Sequence, residues 1–137
     1  MIVDHRTYAI KPGKLNEFVK LYEKEMLPLQ LKYLGHCVGW YVSNDIGPLS
    51  QIVHMWAYKN LADREERRAR LAQDPGFAPY LAKAQPLLDS MENKILQPAS
   101  FFTKPEMKGQ GGGMKDEGKW PGPRPDCFFG SVDRRRI

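Results

Sequence analysis

The sequence predicts an α+β domain in which helices cover one face of a four-stranded antiparallel sheet, the ferredoxin-like arrangement. Four short runs rich in β-branched and aromatic residues predict the strands, at residues 2–10, 36–43, 50–58 and 87–97. Between them, segments with apolar residues at helical spacing predict helices. The resulting order, β-α-β-β-α-α-β, is the split pattern typical of this fold. A chain of 137 residues is long enough for one such domain with a single core.

The first strand is predicted to lead directly into a helix. Pro12-Gly13 ends the strand and is a turn signal. The helix that follows has an apolar side formed by Leu15, Phe18, Val19, Tyr22 and Met26. Pro28 lacks an N–H and crowds the preceding turn, so we expect it to interrupt or kink the helix. A short continuation then reaches Leu34, and Gly35 is predicted to end it.

The second half of the domain is predicted from its turn and cap residues. A dense turn signal at residues 44–48 separates the second and third strands and predicts a hairpin. Asn60 is predicted to cap the next helix, with Asp63 in the capping-box position. A further helix is predicted to begin at Asp74-Pro75, with Asp74 as its N-cap, and Pro86 is predicted to stop it.

Neither face of the hairpin strands is clearly polar. The two sides of the third strand are Ile52, His54, Trp56 and Tyr58 against Gln51, Val53, Met55 and Ala57. On the second strand, alternation is expected to place Trp40 with Val38 and Val42, and Cys37 with Tyr41 on the other side. A sheet with one face in water shows hydrophobic and polar alternation, so we expect both faces to be covered. The sequence therefore predicts a homodimer formed by sheet-to-sheet packing.

Composition divides the chain into a domain at residues 1–103 and a flexible C-terminal tail at residues 104–137. The tail contains seven Gly and four Pro and cannot hold a packed core. The net charge of +5 also divides, because residues 1–103 hold 13 Lys and Arg against 11 Asp and Glu. The folded part is therefore nearly balanced in charge, and we predict that it does not bind nucleic acid.

Other features of the sequence predict a cytoplasmic protein without a membrane partner. No apolar run approaches the roughly 18 residues needed to cross a bilayer. The N-terminus begins in strand-like sequence and shows no export or organelle signal. Cys37 and Cys127 are too few for a disulfide framework, so we predict two free thiols in a reducing compartment.

Over residues 2–102, several segments resemble the NIPSNAP family in their sequence, their order and their spacing. They are residues 4–8 (DHRTY) with 11–15 (KPGKL), 39–42 (GWYV), 46–49 (IGPL), 51–56 (QIVHMW), 71–75 (LAQDP) and 92–98 (ENKILQP). The family usually has Glu where this chain has Asp4. The resemblance implies a ferredoxin-like subunit of a dimeric α+β barrel, in a superfamily that includes small monooxygenases, haem-handling enzymes and lactone isomerases. Fold kinship alone does not choose among these activities.

The first strand carries a candidate binding site. Asp4, Arg6 and Tyr8 share one face because side chains repeat every two residues along a strand. Arg6 could bind a carboxylate or a carbonyl group, with Asp4 holding the guanidinium in place and Tyr8 nearby as a ligand-binding phenol. The alternative is a structural salt bridge at the sheet or dimer interface.

The hairpin strands add a candidate acid or base and two aromatic walls. His54 is the best catalytic candidate, since its unperturbed pKa is near 6.5. Trp40 and Trp56 could line a flat apolar pocket that binds the ligand. The alternatives are a hydrogen-bonded interior histidine and tryptophans that belong to the ordinary core.

No metal or cofactor is predicted. His5, His36 and His54 lack the spacing of metal ligands, and Cys37 has no base close in sequence. The charged run at residues 63–70 contains acid–base pairs at i,i+4 spacing, so we predict a solvated helix face. The alternative is that its guanidinium groups form the lip of a pocket.

These patterns support a leading hypothesis and two alternatives. The leading hypothesis is a homodimeric NIPSNAP-like protein that binds a small, partly apolar ligand between sheet and helices. The first alternative is a cofactor-independent monooxygenase or isomerase acting on an aromatic or lactone-like compound. In that enzyme His54 abstracts a proton and Arg6 stabilises the oxyanion. The second is a non-enzymatic interaction module whose tail recruits a partner.

Overall fold

The computed structural model describes residues 1–102 and contains the predicted four-stranded antiparallel sheet. The strands are β1 (Ile2–Ile10), β2 (His36–Ser43), β3 (Gln51–Tyr58) and β4 (Leu88–Leu96). Their order in the sheet is β2-β3-β1-β4, so β1 lies in the middle and pairs with both β3 and β4. This order, with its two crossover connections, is the ferredoxin-like arrangement, and the fold-class prediction is confirmed. The predicted tail, residues 104–137, lies outside the described residues.

Two helical segments connect the strands on one face of the sheet. The first comprises α1 (Leu15–Leu21), a π-helical turn (Tyr22–Met26) and α2 (Leu27–Tyr33). The second comprises α3 (Leu61–Ala72), α4 (Phe77–Ala84) and a short 3₁₀ turn (Gln85–Leu87). Among residues 1–102, no helix is long and apolar enough to cross a membrane.

The helix is interrupted before Pro28 as predicted, whereas Gly35 has a different role from the predicted one. A π-helical turn replaces the regular α-helix directly before Pro28, which lies in the first turn of the continuation α2. The helix ends at Leu34, whose backbone is already extended. Gly35 is not in the left-handed conformation of a C-terminal cap. It is needed for space instead, because a β-carbon there would collide with the carbonyl oxygen of Ala57 on β3.

The cap of α3 forms as predicted, whereas α4 begins later than predicted. The side-chain oxygen of Asn60 accepts a hydrogen bond of 2.9 Å from the backbone N–H of Asp63. Asp63 in turn accepts one of 3.0 Å from the N–H of Lys59, which completes a variant of the capping box. Asp74 is not the N-cap of α4, because its carboxylate accepts from the N–H of Gly76 within a turn and the helix begins at Phe77.

A bulge in β2 corrects the predicted sides of that strand. The register with β3 shifts between Cys37 and Gly39, so that Cys37 lies opposite Trp56 while Trp40 lies opposite His54. Directly paired residues point to the same side, so Cys37 shares the helix-covered face with Trp40. The prediction that Cys37 lies with Tyr41 is wrong because the extra residue of the bulge reverses the alternation.

The helices cover the sheet unevenly. They bury the β3 side chains of Ile52, Trp56 and Tyr58, which are at most 1% exposed. On the same side of β4, Met91 remains 60% exposed and Ile95 38% exposed. The helical layer therefore seals β3 and leaves the β4 edge open beside β1.

Candidate functional site

A buried carboxylate forms the centre of a polar cluster on β1. Asp4, Arg6 and Tyr8 point to the helix-covered face, opposite Trp56, His54 and Ile52 of β3. The Nε and Nη2 atoms of Arg6 each lie 3.3 Å from Oδ2 of Asp4, while Nη1 donates to the Tyr8 hydroxyl at 3.2 Å. One arginine thus bridges a carboxylate and a phenol, as the alternation along β1 predicts.

Helix α3 supplies a second arginine to the same carboxylate. Nε of Arg64 donates to Oδ2 of Asp4 at 2.8 Å, and the side chains of Arg64 and Arg6 are only 17% and 14% exposed. Burial raises the pKa of Asp4, but the two guanidinium groups lower it more, so Asp4 is ionised. Both arginines use Oδ2, and the buried Oδ1 atom has no hydrogen-bond partner among the described residues.

Arg68 adds a third positive charge one turn further along α3. Its side chain is partly buried and forms no ion pair with any carboxylate of residues 1–102. Burial and the nearby charge of Arg6 lower the pKa of Arg68 from its ordinary value. Three guanidinium groups therefore surround one carboxylate, and this arginine cluster (Arg6, Arg64 and Arg68 around Asp4) has an excess charge of +2.

His54 is fully buried and acts as a hydrogen-bond acceptor through one ring nitrogen. Its Nδ1 atom accepts from the indole N–H of Trp56 at 3.0 Å. Burial, followed by the charge of Arg6, lowers the pKa of His54 to about 3, so the ring is neutral near pH 7. A neutral ring that accepts at Nδ1 carries its proton on Nε2. This Nε2–H is buried and has no partner within the described part of the chain.

Aromatic rings surround His54. The ring of Tyr8 meets it edge-on with centroids 5.0 Å apart, and Tyr22 lies at 5.8 Å. Trp40 stacks at 6.4 Å, and its buried indole N–H also has no hydrogen-bond partner of good geometry among residues 1–102. Two donors that make no hydrogen bond of good geometry within residues 1–102 thus lie on neighbouring strands, beside the phenol rings of Tyr8 and Tyr22.

The structure brings the six residues predicted from sequence to one face and adds two more. The six are Asp4, Arg6, Tyr8, Trp40, His54 and Trp56. The two additions, Arg64 and Arg68, were not among the predicted site residues, because a solvated face was favoured for their helix over the lip of a pocket. Arg67 and Arg70 have acidic partners four residues earlier, whereas Arg64 and Arg68 do not. They share a helix face with the buried Leu71, and this spacing was the signal available in the sequence.

A separate cavity of about 810 Å³ lies at the end of the sheet, away from this cluster. Its walls come from the start of β1, the start of α3 and the segment after β4, and include Ile2, Asn60 and Phe102. None of the six predicted site residues lines it. The polar cluster between sheet and helices is therefore defined by its side chains and their missing partners, not by this cavity.

Comparison with known proteins identifies relatives of this chain by sequence. The NIPSNAP family model matches residues 3–103. A NipSnap homolog from Dictyostelium discoideum is 37% identical over 70% of this chain and 42% of its own length. Human NipSnap homolog 3A is 32% identical over 77% of this chain and 43% of its own length. The matches thus span less than half the length of these two relatives.

Solved structures agree with the sequence matches. A NIPSNAP family protein from Agrobacterium tumefaciens is 44% identical, with a TM-score of 0.69, over 73% of this chain and 94% of that one. A NIPSNAP domain protein from Burkholderia xenovorans is 36% identical with a TM-score of 0.71, over 76% and 100%. A putative antibiotic biosynthesis monooxygenase from Nitrosomonas europaea, 13% identical over 72% and 98% with a TM-score of 0.54, shares the fold alone. From the family match and these relatives, the chain belongs to the NIPSNAP family.

Proposed function

We propose that this protein is a homodimeric binding protein that takes a small, partly apolar ligand between its sheet and its helices. The observation that carries the proposal is a pair of buried donors, Nε2–H of His54 and the indole N–H of Trp40, that make no hydrogen bond within residues 1–102. An unpaired buried donor costs about 1–3 kcal/mol, so such groups in a native protein call for a partner. A ligand oxygen that accepts from these N–H groups supplies that partner, and the surrounding aromatic surfaces accept the apolar part of the ligand.

The homodimer part of the proposal rests on the opposite face of the sheet. The side chains of Val3, Val53, Met55 and Tyr41 lie there, and Tyr41 is 56% exposed. The helices of residues 1–102 lie on the other face, so this apolar surface has no cover from within the described part of the chain. A second copy packed sheet to sheet removes it from water by a symmetric interface.

The geometry does not favour His54 as a general base. Its Nδ1 lone pair is already engaged by Trp56, Nε2 carries the proton, and a pKa of about 3 makes the ring a weak proton acceptor. The resemblance to a monooxygenase at 13% identity concerns the fold and adds no chemistry. We therefore propose that His54 and Arg6 orient a ligand rather than turn it over.

Native mass spectrometry of the purified protein tests both parts. We expect a dimer that releases a small molecule when denatured. Trp40→Phe removes one unpaired donor and is expected to reduce ligand retention, whereas Tyr41→Phe, on the opposite face of the same strand, is its matched control. Met55→Glu places a charge in the proposed interface and is expected to give a monomer. A stable monomer that neither retains nor binds small molecules would overturn the proposal.

A further inference from the structure

We propose that the ligand is a small carboxylic acid whose carboxylate binds the arginine cluster, chiefly Arg68, while its partly apolar body lies against the rings around His54 and presents a further oxygen to the donors of His54 and Trp40. This inference rests on the proposed ligand site and specifies the chemical class that the site accepts. It assigns a binding role to Arg64 and Arg68.

The charges of the cluster favour an anion. Arg6 and Arg64 share a single oxygen of Asp4, and Arg68 has no carboxylate of its own within the described residues. Partly buried like charges repel each other in a region where water screens them poorly, so an uncompensated cluster is costly. The lowered pKa of Arg68, caused by burial and then by Arg6, reflects that cost. A bound anion relieves it.

The unused donors favour a carboxylate in particular. Within residues 1–102, Arg64 binds Asp4 through Nε alone, its two Nη groups make no hydrogen bond, and Arg68 makes no ion pair. The planar guanidinium fork matches the two oxygens of a carboxylate, and such paired, charge-assisted hydrogen bonds are about twice as strong as neutral ones. Tyr8 and Trp40 provide aromatic surface on the side toward His54, which suits an acid with an apolar body.

The ligand can reach the cluster from the β4 edge. Arg6 lies opposite Asn93 and Tyr8 lies opposite Met91, and these two β4 side chains are exposed on the helix-covered side. The side chain of Arg6 is 14% exposed, so the cluster is neither sealed nor fully solvated. That position combines access for a ligand with weak screening of its charge.

Ligand-observed NMR titration at low salt with defined probes tests the inference. The probes are phenylacetate and octanoate, their neutral amides phenylacetamide and octanamide, and inorganic phosphate. We expect at least one acid to bind, its amide to bind about 10- to 100-fold more weakly, and the affinity to fall with added salt. Arg68→Gln should weaken binding of the acid by a similar factor, and Arg68→Lys by less, because it keeps the charge but loses the fork.

Arg70→Gln is the matched control, since Arg70 lies on the same helix, is exposed and pairs with Glu66. It should leave the affinity unchanged. Equal binding of acids and amides would overturn the carboxylate inference and leave the proposed binding function intact. Phosphate that binds as tightly as the acids would also overturn it, by showing a site for simple anions. The carboxylate inference would also be overturned if the purified protein retained a neutral compound and bound neither acid.

Discussion

The two halves of the helix-covered sheet are built on different principles. On the β2–β3 half, the rings of Tyr22, Trp40 and His54 pack against one another, and Trp56 donates a hydrogen bond to His54. The hydroxyl of Tyr22 hydrogen-bonds to the buried Gln30. On the β1–β4 half, the arginine cluster surrounds a single carboxylate beside an open strand edge. One half buries apolar area, and the other concentrates charge.

The difference separates the aromatic packing that stabilises the domain from the charges that are proposed to bind the carboxylate of the ligand. Buried aromatic area is the dominant favourable contribution to folding, so the aromatic half should hold the domain together. A partly buried cluster with excess charge contributes little or is unfavourable, and natural proteins retain such clusters where function needs them. Substitutions in the two halves should therefore have opposite consequences for stability.

The largest expected effect is in the aromatic half. Trp56 is 1% exposed and donates to His54, so Trp56→Ala leaves a large cavity and an unpaired nitrogen. We expect the free energy of unfolding to fall by about 3–5 kcal/mol in urea titrations at fixed protein concentration. Met91→Ala, on the open β4 edge, is the control and should change it by less than about 0.5 kcal/mol. Similar losses in both variants would contradict the division into halves.

An intermediate effect is expected from the pH dependence of His54. Its pKa is about 3 in the folded protein against 6.5 for an unperturbed histidine, so protons bind the unfolded chain more readily. The stability that depends on the neutral ring is present above pH 6.5 and falls as the pH drops toward 3. By about pH 5 this loss amounts to about 2 kcal/mol.

His54→Gln removes this titration. Its free energy of unfolding is lower at neutral pH, but it should fall less steeply than that of the wild type between neutral pH and about pH 5. Titration of all other groups is common to both proteins and cancels in the difference. Parallel pH profiles for the two proteins would show that His54 is accessible to protons in the folded state, and the aromatic half would then not be sealed.

Sequence reasoning located the strands and the site face because both depend on local pattern. The bounds of β1 and β2 follow from β-branched and aromatic runs that end at turn residues, and they match the structure residue for residue. Period-two alternation then places Asp4, Arg6 and Tyr8 on one face without any knowledge of the fold.

What the sequence did not predict depends on contacts between distant segments. The bulge at Cys37 reverses the side-chain alternation at one end of β2. Only the register between β2 and β3 reveals this bulge. The role of Arg64 depends on α3 lying over Asp4, which is 60 residues away in sequence. The position of the proton on His54 follows from the hydrogen bond that Trp56 donates to its ring. The periodicity of the sequence cannot predict the geometry of this hydrogen bond.

The smallest expected change in stability is in the charged half. It is tested by substituting two adjacent arginines of α3. Arg67 pairs with Asp63 at 2.8 Å and donates to the carbonyl oxygen of Leu34, so Arg67→Gln should lower the free energy of unfolding by about 0.5–1 kcal/mol. Arg68 has no such partner among residues 1–102 and is repelled by Arg6, so Arg68→Gln should raise the free energy of unfolding by up to about 1 kcal/mol in ligand-free protein. Urea unfolding of both variants measures the sign, and a loss in Arg68→Gln as large as that in Arg67→Gln would mean that Arg68 stabilises the fold. A gain in stability accompanied by a loss of acid binding is the pattern expected of a residue retained for its ligand.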